Sequence, residues 1–199
     1  MKTVAVIMTG GKSKRMGRDK AKLYFGGQPL LAHQIQKWAN VFDDLIISVD
    51  QKERFPWITY RMVEDHRQGL GPMAGLEAVM LDVPADRYFI TAVDMPFASP
   101  ELALQINESC GKADVGIIRR RSGRVEPMFA LYGRECLCHI VQALDKKMYS
   151  FTRGLLPFVH VREFPEQELL QYDLERILLN VNTVEDWISM KCLSIDLRE

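Results

Sequence analysis

No charge of one sign prevails in this chain of 199 residues: 26 lysines and arginines stand against 26 aspartates and glutamates. That balance excludes a broad field drawing the protein to nucleic acid or to an anionic membrane, so any anion it binds must be held locally. Long apolar runs are missing as well. No stretch approaches the roughly 18 residues that cross a bilayer, and the apolar run at residues 4–8 is too short for a secretory leader before it breaks at Gly10-Gly11. A cytoplasmic protein is expected. Cysteine is scarce, and Cys110, Cys136, Cys138 and Cys192 are too irregularly spaced for a disulfide framework, so free thiols are expected. Cys136-Leu137-Cys138-His139 has the residue types of a metal site. However, Leu137, Ile140, Val141 and Leu144 mark a helix there, on which residues two apart point in nearly opposite directions.

What is present is ordinary for a folded protein, with 47% hydrophobic and 26% charged residues. The length accommodates one substantial core, and a single domain over residues 1–199 is expected. Residues 4–8 form a wholly apolar run, as in a strand buried on both faces of a parallel sheet. After Pro29, Leu31, Ile35, Trp38 and Phe42 recur at helical spacing, and residues 45–49 read as a second strand. Residues 60–63 suggest a third strand. A helix carrying Met73, Leu76 and Met80 follows, then a fourth strand at residues 88–93. Ser99 and Pro100 supply an N-cap and a first helical residue. Residues 115–118 and 128–132 read as strands flanking Arg119-Arg120-Arg121-Ser122-Gly123-Arg124. A helix at 134–145 and a strand at 158–161 come next, and Thr183-Val184-Glu185-Asp186 is a capping-box signature opening a helix with Trp187 and Ile188. The alternation predicts a single-domain α/β fold with a doubly wound, mostly parallel sheet.

In such a sheet ligands bind beyond the carboxyl ends of the strands, where this sequence places its glycines and carboxylates. The loop from Thr9 to Lys20 couples Gly10 and Gly11, which let backbone N–H groups approach phosphate, to Lys12, Lys14, Arg15, Arg18 and Lys20. It lacks the P-loop pattern, which removes the main support for ATPase or GTPase chemistry. Gly69-Leu70-Gly71-Pro72-Met73-Ala74 formally fits a dinucleotide fingerprint. It follows the third strand rather than the first, though, and Pro72 lacks the N–H that pyrophosphate would use. Asp94 follows the fourth strand on the same edge, and magnesium is satisfied by one or two carboxylates plus phosphate oxygens. Asp65 and Asp50 end the neighbouring strands, with nucleotide contact and solvated loop both open readings. For the 119–124 run, a phosphate site and an exposed hairpin tip are equally open.

Taken together, these residues resemble the molybdenum cofactor guanylyltransferase family. The opening is similar to its Leu-Ala-Gly-Gly-x-Ser-x-Arg-Met-Gly-x-Asp-Lys signature. The likeness continues through Gly71-Pro72-Met73-Ala74-Gly75, Asp94-Met95-Pro96-Phe97, Glu126-Pro127-Met128-Phe129-Ala130-Leu131-Tyr132 and Asn180-Val181-Asn182-Thr183-Val184-Glu185-Asp186. The resemblance implies a Rossmann-like nucleotidyltransferase that moves GMP from GTP to molybdopterin with Mg2+. Nucleotide contacts would fall on Met8, Gly10, Gly11, Lys20 and Asp65, with Asp94 beside them, and Thr9 and Asp50 are further candidates from their places at the strand ends. Lys20, Arg15 and Asp94 would serve the chemistry, with Asp94 as metal ligand. It further implies a nucleotide-binding half (1–97), an acceptor-binding half (98–199), and partners among molybdenum-insertion proteins or molybdoenzyme chaperones. The chain departs from the pattern at Met8-Thr9, at Val93 where a cysteine is usual, and at Asp50 where the family often has Asn. The alternatives are a cytidylyl- or sugar-phosphate nucleotidyltransferase on the same fold, or a non-catalytic GTP-binding module that delivers cofactor.

Overall fold

The computed structural model describes residues 1–10, 19–183 and 186–187. Its centre is β1 (Thr3–Met8), every residue of which is buried. The inward and outward side chains of this strand enter separate cores. Ala5 and Ile7 join one cluster, Val4, Val6 and Met8 the other, so an unbroken apolar run is what a strand covered on both faces requires.

A small hairpin of β2 (Tyr24–Phe25) and β3 (Gln28–Pro29) leads into α1 (Leu30–Trp38). The helix stops at Trp38, four residues short of the predicted repeat. Phe42 packs from the following turn and stacks on Phe89 with ring centroids 5.7 Å apart, so it shares the helix's apolar face without sharing its backbone. β4 (Asp44–Val49), β5 (Met62–Glu64), α2 (Pro72–Asp82), β6 (Arg87–Ala92) and α3 (Pro100–Ser109) follow. The α3 cap is as predicted, with Ser99 Oγ accepting from Leu102 N at 3.1 Å. β7 (Val115–Arg119), β8 (Val125–Gly133), α4 (Cys136–Asp145), β9 (Val161–Pro165) and the short α5 (Leu174–Ile177) complete the chain.

The strand expected at 158–161 lies three residues later. Residues 151–155 form a π-turn and 156–158 a 3-10 turn. The apolar run at 158–161 misled because β9 is an edge strand, which carries charged residues such as Arg162 and Glu163 in place of a continuous apolar stretch.

Seven strands form one sheet in the order β5-β4-β1-β6-β8-β7-β9. Only β8 runs against its neighbours β6 and β7; the remaining pairs are parallel. α1 and α3 cover one face, α2 and α4 the other, which is the doubly wound α/β arrangement. The register sets Met8 beside Ser48 on one side and Ala92 on the other, so β1, β4 and β6 end level and their following loops share one edge. Among the described residues no helix is long and apolar enough to cross a membrane.

Candidate functional site: the carboxyl edge of the sheet

Two arrangements meet on this edge. The first is a cavity of about 550 Å³ lined by Met8, Gly10, Ser48, Asp50, Asp65, Gln68, Gly71 and Gly75. Its floor depends on Gly75 in the first half of α2. A Cβ there would lie 2.6 Å from Ser48 Oγ, 2.8 Å from Met8 Cε and 3.1 Å from Asp65 Oδ1, so only glycine lets these side chains converge. At Gly10 a Cβ would meet no atom of the described residues within 4 Å. Gly69 and Gly71 have φ of 76° and 85°, the left-handed conformations that carry the loop from β5 into α2.

The cavity is rich in carboxylate. Burial pushes the Asp65 carboxyl up to about 6, the negative charge of Asp50 adds to this, and the Ser48 hydroxyl partly offsets it. Asp50 is held by Arg54 Nη1, and its carbonyl accepts from Gln68 Nε2 at 3.0 Å. Thr9 is buried, and its hydroxyl and its N–H both donate to Ser48 O, at 2.7 and 3.0 Å, locking the end of β1 to β4.

The second arrangement surrounds Asp94. Lys20 sits in a 3-10 turn capped by Asp19, whose Oδ1 accepts from Ala21 N at 3.1 Å. Lys20 Nζ donates to Asp94 Oδ2 at 2.7 Å and to Asn182 Oδ1 at 2.9 Å. Asn182 is brought there by its own segment: Val181 N donates to Asp94 O at 2.9 Å, and Asp186 Oδ2 accepts from the N–H groups of Asn182 and Thr183, both at 2.8 Å. With Asp186 N donating to Thr183 Oγ1 at 3.0 Å, the predicted capping box is formed. The loop after β6 is fixed from α1. Gln34, fully buried, donates to Met95 O at 2.6 Å and accepts from Trp38 Nε1 at 3.1 Å. Lys37, brought down to about 8 by burial, donates to Pro96 O.

Of the residues singled out in the sequence, Met8, Gly10, Asp50 and Asp65 are thus brought to one cavity, and Lys20 and Asp94 to one ion pair. Gly11 and Arg15 lie outside the described residues. Ser48, Arg54, Gly75 and Asn182 carry no individual signal in the sequence. Gly75 and Asn182 sat in quoted blocks, but only the packing reveals their parts.

The 119–124 run forms the tip of the β7–β8 hairpin, and its arginines are committed to carboxylates. Arg119 forks onto Glu163. Arg120 reaches Glu166 at 3.0 Å as well as Glu175. Arg121 lies 3.7 Å from Glu166 and Arg124 3.6 Å from Glu126. The hairpin tip is therefore the reading the geometry supports. At the former metal candidate, Cys136 is buried and Cys138 exposed on α4, and no group of three or more potential metal ligands occurs among the described residues.

The fold is a doubly wound α/β sheet with a carboxylate-lined cavity and a Lys–Asp pair on its carboxyl edge, where such sheets bind ligands. The chain belongs to the MobA-like NTP transferase domain family, whose model matches residues 5–161. A probable molybdenum cofactor guanylyltransferase of Methanosarcina mazei is 30% identical, covering 94% of this chain and 88% of its own. Another, of Natranaerobius thermophilus, is 33% identical, covering 92% and 91%. The crystal structure of molybdopterin-guanine dinucleotide biosynthesis protein A from Archaeoglobus fulgidus superposes with a TM-score of 0.83 at 20% identity, over 97% of this chain and 99% of that one.

Proposed function

We propose that this chain transfers GMP from GTP to the terminal phosphate of molybdopterin. A phosphate oxygen of the pterin attacks the α-phosphorus, the bond from that phosphorus to the bridging oxygen breaks, and pyrophosphate leaves with the bond electrons. The observation that carries the reading is the carboxylate cavity lying beside the Lys20–Asp94–Asn182 cluster on one sheet edge. An ionised carboxylate only accepts hydrogen bonds, and guanine offers adjacent N–H donors at N1 and the 2-amino group, so Asp65 suits that base. Its ionisation near 6 leaves it charged at neutral pH.

The reaction needs charge neutralisation and alignment more than proton transfer, because a phosphate nucleophile is already ionised at neutral pH. Lys20 would pass from Asp94 to the phosphate oxygens as nucleotide enters, and Asn182 would keep its ammonium oriented. Arg15 and the Gly10-Gly11 backbone would complete the phosphate cradle. Asp94 fits Mg2+: Lys20 is the only hydrogen-bond donor to its carboxylate among the described residues, and one carboxylate plus phosphate oxygens is a set this ion accepts. When bound, the ion would neutralise charge building on the phosphate oxygens. Residues 1–97 would serve the nucleotide and 98–199 the acceptor, in the cytoplasm, with molybdenum-insertion proteins or molybdoenzyme chaperones downstream.

The test is pyrophosphate release from each of the four ribonucleoside triphosphates, with Mg2+, with and without molybdopterin. Release from GTP alone, and only with the pterin, is expected. Preference for CTP, or release without the pterin, would overturn the reading, and tight GTP binding without release would indicate a delivery module.

A further inference from the structure

Arg54 belongs to none of the motifs above, yet it touches both arrangements of the site. It closes a 3-10 turn at Lys52–Arg54, just after β4. Its guanidinium lies over the fully buried Phe55 ring, 4.9 Å from the centroid. One arm, Nη1, binds Asp50 Oδ1, and the other, Nη2, binds Asp19 Oδ2 at 2.8 Å. Asp50 lines the cavity, and Asp19 caps the turn that presents Lys20. All three side chains are only 20–23% exposed, so the pairing is shielded from the full screening of water.

We infer that Arg54 is a positioning residue that couples the base cavity to the phosphate-side lysine and cancels the charge brought by Asp50. The inference rests on the proposed GTP reading and extends it to a residue outside the family's motifs. The need follows from Asp50 itself. With Asp65 already desolvated and facing the negative charge of Asp50, an uncompensated Asp50 would raise Asp65 further and repel an incoming triphosphate. An Asn at position 50 carries no such charge. Arg54 supplies the compensating charge, and its planar fork holds two carboxylates at once, which a lysine ammonium cannot do with the same geometry.

The measurement is equilibrium GTP binding by calorimetry, without acceptor, on the full chain and on Arg54→Gln, Arg54→Lys, Asp50→Asn and the double variant Asp50→Asn/Arg54→Gln, each checked for folding by its melting temperature. Arg54→Gln is expected to weaken GTP about tenfold. The double variant is expected to recover most of that loss, and Arg54→Lys to fall between. A purely structural role would lower the melting temperature of both Arg54→Gln forms without recovery of affinity in the double variant. That result, or wild-type affinity in folded Arg54→Gln, would overturn the inference. If Arg54→Gln does not fold, Arg54→Lys serves in its place, paired with Asp50→Asn in the same way. Absence of GTP binding by the unaltered chain would overturn the proposed function and this coupling with it, whereas binding that ignores every Arg54 change would overturn the coupling alone.

Discussion

The cavity beneath α2 and the tip of the β7–β8 hairpin lie on the same edge of one sheet, and both are crowded with charge. At the tip the arginines are answered by Glu126, Glu163, Glu166 and Glu175. In the cavity Asp65 has a hydroxyl partner in Ser48 but no ion pair among the described residues, and it faces the charge of Asp50. The first region is satisfied by its own neighbours. The second holds a carboxylate, Asp65, whose charged form burial disfavours, and a donor-rich ligand would relieve that cost. Charge left unbalanced in a concave, partly desolvated place indicates function better than charge merely clustered along the chain.

Substitutions on the two sides should therefore differ widely in effect. The largest loss belongs to the Lys20–Asp94 pair. Asp94→Ala or Lys20→Ala should lower turnover on the order of 10²–10³-fold, as when one preorganised charge-stabilising group is removed, measured by pyrophosphate release under saturating substrates. Wild-type turnover in either variant would place the Lys20–Asp94 pair outside the catalytic machinery.

Gly75→Ala comes next. The added methyl meets Ser48, Met8 and Asp65 at 2.6–3.1 Å, and overpacking of about 1–3 kcal/mol should weaken GTP roughly tenfold while α2 stays helical by circular dichroism. Unchanged affinity would show that the cavity floor does not bear on the nucleotide.

Asp65 sharpens the contrast because affinity and stability should move in opposite directions. Its folded value of about 6 lies above the ordinary 3.8, so the folded state holds the proton more tightly than the unfolded chain does. Its ionisation therefore costs stability progressively as pH rises from about 4 to about 6, and the full cost persists above that window. On the proposed reading GTP is held by the ionised form, so affinity should fall as pH drops below about 6. Asp65→Asn should raise the melting temperature at pH 7.5, weaken GTP, and flatten the pH profile. A lower melting temperature with an unchanged profile would refute the assignment.

The smallest effect is expected at the tip. Arg119→Gln breaks an ion pair whose partners are about two-fifths exposed. Such pairs contribute about 0–1 kcal/mol, so GTP affinity should stay within about twofold of wild type. A tenfold loss of GTP affinity would return the tip to the site.

Much of this was legible along the chain. β1, α3 with its Ser99 cap, and Asp94 at the end of its strand follow from an apolar run, a cap signature and strand-end logic, all of which are local. The order of strands was not legible, nor was the antiparallel placement of β8, because pairing is decided by neighbours distant in sequence. β9 was misplaced for a related reason: an edge strand tolerates charge, and the apolar run beside it folded into turns. Within the site, Lys20 and Asp94 could be read from residue type and position. Gly75 and Arg54 could not, since one matters for what its missing Cβ avoids and the other for two carboxylates, at positions 19 and 50, that only the fold brings together.

The central claim is most directly tested by following the α-phosphate. With α-labelled GTP, Mg2+ and molybdopterin, the account predicts that the label moves into a pterin dinucleotide as unlabelled pyrophosphate appears in equal amount, and that Asp94→Ala suppresses both together. Label recovered as free GMP, or as unconsumed GTP bound to an otherwise intact protein, would contradict it.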